Sequence, residues 1–301
     1  MADQTAPVTG EHPVVAGVDG SEISYQAVAW AAAEAVLRHR PLRIVLAYGL
    51  PIGRETRTSL GAAEMAAMRA EAERVLTEAA RVARHAASEP TLDITTEAID
   101  DLVLPTLIER SKQAALMVVG NRGRGAIRRA VLGSVSTGLS RYAHCPVAVV
   151  HGDAEAGAGS KPIVVGVDGS ANSLPAVRMA FEEASRREVP LIAVHAWSDS
   201  SGFDLEVVGW NTIRKTEDVL MAEGLAGFGE EFPDVKVERY VVCDTPVRAL
   251  LEHAAGAQLL VVGTHGRSGF AGLVLGSVST ALLHDAECPV LVVRSRETAA
   301  E

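Results

Sequence analysis

Two stretches of the chain carry residues spaced for chemistry. Gly120, Gly123 and Gly133 follow an apolar run with the spacing Gly-x2-Gly-x9-Gly, and Ser134 comes next; Gly263, Gly266, Gly276 and Ser277 repeat that spacing. A glycine at a strand end lets the backbone turn sharply and lets a ligand approach it closely. A Gly-Ser pair opening a helix presents unpaired N–H groups and the positive end of the helix dipole, which suit an anion. Ser134 and Ser136, like Ser277 and Ser279, can add hydroxyl donors or cap that helix. The loop can thus wrap a polyphosphate while the helix start holds its end. A single glycine of this kind is more simply a turn residue. A whole pattern kept twice, between the same strand and the same helix, favours phosphate binding.

A second pair of segments ends an earlier apolar run: Val18-Asp19-Gly20-Ser21 and Val167-Asp168-Gly169-Ser170. An acidic residue at the carboxyl end of a strand, before a Gly-Ser helix start, suits hydroxyl recognition or indirect metal binding. The plainer account is an Asp-Gly turn with a serine cap.

These residues must be positioned by a repeated unit. VVAGVDGS (14–21) returns as IVVGVDGS (163–170), LMVVGNRGRG (116–125) as LLVVGTHGRS (259–268), VLGSVSTGL (131–139) as VLGSVSTAL (274–282), and HCPVAVV (144–150) as ECPVLVV (287–293). Order and spacing hold over about 140 residues, so a whole domain is duplicated rather than a short solenoid repeat. The expected domains are 1–150 and 162–301, joined by the Gly/Ala-rich linker 151–161. In each, short β-branched runs alternate with Ala/Glu/Arg/Leu stretches of helical period. Strands apolar on both faces and separated by helices predict an α/β fold: two tandem doubly wound, Rossmann-like domains, each a five-stranded parallel sheet flanked by helices. Such sheets bind ligands at the carboxyl ends of the strands, at a topological switch point.

Composition narrows the function. The chain has 301 residues and a formal charge of −10; residues 1–150 carry 16 basic and 16 acidic side chains, residues 151–301 carry 12 and 22. An acidic chain without a basic stripe disfavours nucleic-acid binding. No run of 18 apolar residues predicts a membrane span, and the N-terminus lacks the pattern of a cleaved signal peptide. Three widely spaced cysteines, Cys145, Cys243 and Cys288, argue against a disulfide framework and for a reducing, cytoplasmic setting.

The chain resembles tandem-domain universal stress proteins of the ATP-binding type. The residues that carry this are DGS at 19–21 and 168–170, GNRG and GTHG, GSVS at 133–136 and 276–279, and CPVAVV and CPVLVV, over roughly 13–150 and 161–294. The resemblance implies one ATP, accompanied by magnesium, per domain, in an adenine-nucleotide-binding fold. It puts Asp19 and Asp168 by the ribose and adenine edge, and Val18, Val119, Val167 and Val262 beside the base. Ala47 and Ala196 match the position whose backbone meets adenine. The phosphates fall to Gly120, Gly123, Gly133, Ser134, Val135 and Ser136, and to Gly263, Gly266, Gly276, Ser277, Val278 and Ser279. It further implies that the CPV strands pair domain with domain, leaving a unit that forms a homodimer through such pairing. The family commonly has a histidine in strand two; His195 fills that position in the second copy and Leu46 in the first. We read that histidine as structural.

Other residues are weighed against plainer roles. Arg124 and Arg267, with Arg122, Arg128 and Arg129, either tighten phosphate contact or sit solvated on the loop. Cys145 and Cys288 lack metal-ligand spacing and read as small buried apolar residues. His144, His265 and His284 read as non-catalytic, and no metal site is expected. No GxxxxGK[ST] segment supplies a phosphate-neutralising lysine, so little or no hydrolysis is expected. The alternative is an ATP-hydrolysing enzyme of the same fold group; the simple GVDGSE and GVDGSA segments, without an SGGxDS-like loop, weigh against it. A dinucleotide or flavin module would need GxGxxG after strand one, which is absent.

Overall fold

The computed structural model describes residues 12–49, 61–87, 89, 91–123, 133–152, 159–197, 210–266 and 275–294. Among these, the apolar runs form ten strands: β1 (Val14–Gly17), β2 (Leu42–Ala47), β3 (Ile94–Ile99), β4 (Leu116–Gly120) and β5 (Val147–Val150), then β6 (Ile163–Gly166), β7 (Leu191–Trp197), β8 (Val237–Cys243), β9 (Leu259–Gly263) and β10 (Val290–Val293). Eight helices among the described residues lie between them: α1 (Glu22–Leu37), α2 (Ala62–Ala86), α3 (Val103–Ser111) and α4 (Ser134–Tyr142), then α5 (Leu174–Arg187), α6 (Trp210–Glu231), α7 (Pro246–Ala254) and α8 (Ser277–Asp285). None of these helices is long and apolar enough to cross a membrane.

The ten strands join one sheet in the order β3-β2-β1-β4-β5-β10-β9-β6-β7-β8. Within each half the pairing is parallel. Side chains alternate between its faces. Val14, Ala16 and Leu116 pack under α1 and α2 on one side, while Val15, Met117 and Val119 pack under α3 and α4 on the other. Each core layer runs through both halves, so the two five-stranded sheets form a single α/β/α sandwich. In each half the chain leaves the first strand to one side and the fourth to the other, which sets a switch point between β1 and β4 and between β6 and β9.

The halves meet at one antiparallel seam, with Val149 opposite Val290, Ala148 opposite Leu291 and Val147 opposite Val292. This corrects the expected homodimer route. β5 lies between β4 and β10, and β10 between β5 and β9, so neither last strand keeps a free edge for another chain; the outer edges are β3 and β8. The seam is strapped on both sides. His151 Nε2 lies 2.9 Å from the carbonyl oxygen of Leu283 in α8, and Arg294 donates to the carbonyl of Ala143 after α4 at 3.4 Å.

Beside the seam, α1 and α5 bury four charges that repeat with the duplication: Glu34 and Arg38, Glu183 and Arg187. Arg38 Nε meets Glu34 at 3.1 Å; Arg38 also donates to Glu183, and Arg187 to both glutamates. Arg186 adds a 2.6 Å bond to Glu183. The four side chains are at most 10% exposed, so each carboxylate depends on guanidinium partners from both halves.

Candidate functional site

The strand-one ends fold as expected. Asp19 Oδ1 accepts the Ser21 N–H at 2.9 Å and the Ser21 hydroxyl at 2.6 Å; Asp168 Oδ1 accepts the same two groups of Ser170 at 2.9 and 2.7 Å. The turn passes through φ values of +82° at Gly20 and +74° at Gly169, which only glycine adopts cheaply. In the first half Ser21 then caps α1. The second half departs from this expectation. α5 starts after Ser173, three residues later and without a side-chain cap bond, and Pro175 sits in its first turn, where the fixed φ of proline suits a helix start.

The other Asp oxygen faces the glycine loop. A Cβ built on Gly123 would lie 2.5 Å from Asp19 Oδ2, and one on Gly266 would lie 2.6 Å from Asp168 Oδ2. The two chemistry-bearing segments of each half therefore touch across the switch point. At Gly120 and Gly263 the segment after strand one lies close against the backbone. A Cβ there would meet Ile23 at 3.1 Å or the Asn172 carbonyl oxygen at 3.3 Å, so their bareness lets the segment after strand one close over the strand end.

At the helix starts, Gly133 and Gly276 occupy the cap positions and supply no side-chain cap. The first helical bonds run from Thr137 to Gly133 and from Thr280 to Gly276, so the N–H groups of residues 134–136 and 277–279 point out of the helix. Ser134 and Ser277 are exposed there. Ser136 and Ser279 correct the expected hydroxyl-donor role: both are buried and donate to backbone carbonyls, Ser136 to Gly133 at 2.9 Å and Ser279 to Gly263 at 2.7 Å. They tie the helix start to the strand end.

In the second half these pieces enclose a cleft of about 560 Å³, within the range of small-molecule sites. It gathers Val167, Asp168, Ala196, Val262, Gly263, Gly266, Gly276, Ser277, Val278 and Ser279, all expected from the sequence. Gly169 and Ser170 shape the turn rather than the wall. Arg124 and Arg267 lie outside the described residues. Sequence reasoning missed His195, Trp197, His265, Ser173, Pro246 and Leu250 in the lining. The first three were legible as aromatic residues flanking two expected positions. In the first half Val18 and Val119 are buried, Ala47 ends β2, and Leu46 and Tyr48 stand where the second half has His195 and Trp197. A larger cleft of about 1090 Å³ opens beside the seam, with Arg122 and Lys161 against Glu22, Asp285 and Glu287. It takes in Ser21 but none of the loop glycines and neither Ser134 nor Ser277, so the cleft in the second half is the better candidate. Among the described residues no group of three or more His, Cys, Asp or Glu could hold a metal ion.

His195 is 5% exposed. Its Nδ1 lies 2.7 Å from the Val167 carbonyl oxygen, and its Nε2 lies 3.3 Å from Glu217 Oε2 of α6, an ion-pair contact without hydrogen-bond alignment. Burial pushes the thiols of Cys145 and Cys288 up to about 12 and about 11. That keeps both protonated and inert at neutral pH.

A duplicated doubly wound sheet, with paired Asp-Gly-Ser and glycine–serine segments at its switch points, defines a tandem-domain α/β protein. The chain belongs to the universal stress protein family, whose model matches residues 11–151 and 159–294. It is 42% identical over 287 residues to universal stress protein Rv2005c of Mycobacterium tuberculosis, covering 94% of this chain and 97% of that one. It is 43% identical over 295 residues to a universal stress protein of Mycolicibacterium smegmatis, covering 95% and 98%. A crystal structure of a universal stress protein from Archaeoglobus fulgidus shares the fold at a TM-score of 0.68 and 20% identity, over 94% of this chain and 98% of that one.

Proposed function

We propose that the protein binds adenine nucleotide, up to one ATP in each of two domains (1–150 and 162–301), and holds it as a regulatory ligand in a stress response rather than turning it over. The observation that carries this reading is the second-half cleft. Its apolar wall of Val167, Ala196, Trp197 and Val262 suits a flat base, and Asp168 beside it suits ribose hydroxyls. At the other end Gly263, Gly266 and Gly276 leave backbone exposed next to the outward N–H groups of α8, which suits a phosphate tail. Magnesium would come bound to the phosphates, since the described residues hold no cluster of three ligands.

Slow or absent hydrolysis follows from the same lining. Among the described residues no lysine lines the cleft, and its two histidines are already engaged, His195 with Val167 and His265 with Thr264. We place the protein in the cytoplasm on its three free cysteines, two of them buried. A homodimer would need a surface other than β5 and β10, and solution scattering checks it.

Mass analysis of small molecules released from the denatured, freshly purified protein tests the reading. Intact ATP is expected. Stoichiometric AMP or pyrophosphate in a single-turnover incubation would replace it with the enzyme alternative, and failure of ATP to bind by calorimetry would remove it.

A further inference from the structure

We infer that the outer edge of the second half is a docking strip for an extended acidic peptide, which adds a strand beside β8 and lays its carboxylates against Arg214, Lys215 and Arg239. The strip stands apart from the nucleotide cleft and does not depend on it.

β8 has seven residues and, among the described residues, pairs with β7 alone, so its outward N–H and C=O groups can take another strand. Side chains alternate along a strand. Val237, Arg239 and Val241 share the face under α6, and with Arg214, Lys215 and Asp218 of that helix they line a groove of about 510 Å³. Val241 is buried, Val237 half-buried and Arg239 exposed, so the strand offers an apolar, a basic and an apolar position in turn.

Charge decides what fits. Residues 151–301 are strongly acidic, with 12 basic and 22 acidic side chains, yet this groove sets three cations against one carboxylate. On α2 the exposed arginines are matched: Arg69 with Glu73, Arg74 with Glu71 and Arg81 with Glu78. Here Arg214 and Lys215 have no ion-pair partner among the described residues, and Arg239 reaches Asp218 only at 3.5 Å. The other outer edge, β3, differs, since its Glu97 is held by Arg110. A second copy pairing β8 with β8 would bring like charges together, which these cations resist. A strand with acidic side chains turned toward α6 and apolar ones in line with them satisfies both the free backbone and the unmatched cations. Main-chain bonds would then supply affinity, and the alternating positions of the groove would supply selectivity.

The test is fluorescence anisotropy of the full-length protein, without nucleotide, using a labelled peptide Val-Thr-Glu-Thr-Glu-Thr-Val, whose two glutamates share a face when it is extended. Saturable binding is expected, weakened about tenfold by Arg214→Glu combined with Lys215→Glu, a pair whose exposed side chains leave the melting temperature unchanged. The shuffled peptide Val-Glu-Glu-Thr-Thr-Thr-Val, which sends its acids to opposite faces, is expected to bind about tenfold more weakly. N-methylation of alternate peptide residues is expected to abolish binding in one parity and spare it in the other, because only every second N–H of an added strand points at its neighbour. Absence of binding, equal affinity for the two peptides, or indifference to both methylation patterns or to the double reversal overturns the proposal. Sedimentation without peptide covers the other occupant: a mass that rises with concentration and falls back in the double reversal would give the edge to a second copy and overturn it as well. Every one of these outcomes leaves the nucleotide reading untouched.

Discussion

Gly123 lies against the carboxylate of Asp19, so close that a methyl group on the glycine would overlap Oδ2, and Gly266 repeats the relationship with Asp168. The loop after the fourth strand and the turn after the first thus share one wall at each switch point. A side chain on either glycine must displace the aspartate, and with it the Ser21 or Ser170 turn that the aspartate organises.

Gly123→Ala and Gly266→Ala should each weaken ATP binding in their own half by about tenfold, ~1.4 kcal/mol, and lower stability by about 1 kcal/mol through the displaced aspartate turn. Gly120→Ala is the contrast. Its methyl meets Ile23, so it should lower stability by about 1–3 kcal/mol through overpacking. Calorimetry and urea denaturation on the same samples separate the two effects.

Asp19→Asn and Asp19→Ala divide the turn from the charge. Asparagine retains an oxygen for the Ser21 N–H and hydroxyl, so its stability should match the wild type. Alanine removes that acceptor and should cost about 1 kcal/mol. Both should lose ATP affinity in the first half. Equal melting temperatures for the two variants would contradict the turn role.

The buried quartet should be costly to break. Arg187→Ala leaves Glu34 and Glu183 each short of a partner and should destabilise by about 3–5 kcal/mol. Its acid response has two parts. Burial pushes the Glu183 carboxyl up, but the charges of Arg187, Arg38 and Arg186 outweigh it and hold the group below its ordinary value of 4.5. Its contribution is present above that value and lost as pH falls below it. Burial dominates at Glu34 and holds its carboxyl above 4.5, so that group favours the fold as pH falls toward 4.5. Glu183→Gln should flatten the lower limb of the stability profile and Glu34→Gln the upper, as read by melts from pH 3 to 7.

Thiol counting gives a fourth check. With Cys145 and Cys288 raised and buried and Cys243 exposed, a thiol reagent at neutral pH should modify one cysteine quickly in the native protein and all three after denaturation. Rapid native labelling of two or three would contradict the packing of the last strands.

Much of this architecture was legible in the residues. The duplicated VDGS and GSVS segments gave the strand-to-helix turns, and the Val/Leu runs gave the strands. Ten expected residues do line the second cleft. The misses have physical causes. Ser136 and Ser279 look like free donors in sequence, but the tight turn before the helix brings carbonyls within their reach. The Ser170 start of α5 failed because Pro175 sets a later first turn. Glu34 and Arg38 have the spacing of an ordinary surface pair, worth a few tenths of a kcal/mol. The clue lay in their surroundings: AVAWAAAEAV is apolar all round, so α1 is buried and its glutamate with it. The seam between β5 and β10 was anticipated only through the resemblance, which pairs the CPV strands domain with domain; no local pattern in the residues identifies it.

That seam, with its two straps and the buried quartet beside it, joins halves of one polypeptide rather than two chains. Tethering changes the arithmetic, because a mate on the same polypeptide is present at an effective concentration on the order of millimolar. Gene fusion thus freed each copy from having to remain its own best match. One copy could acquire a histidine where the other has leucine without producing mixed or unmatched pairs.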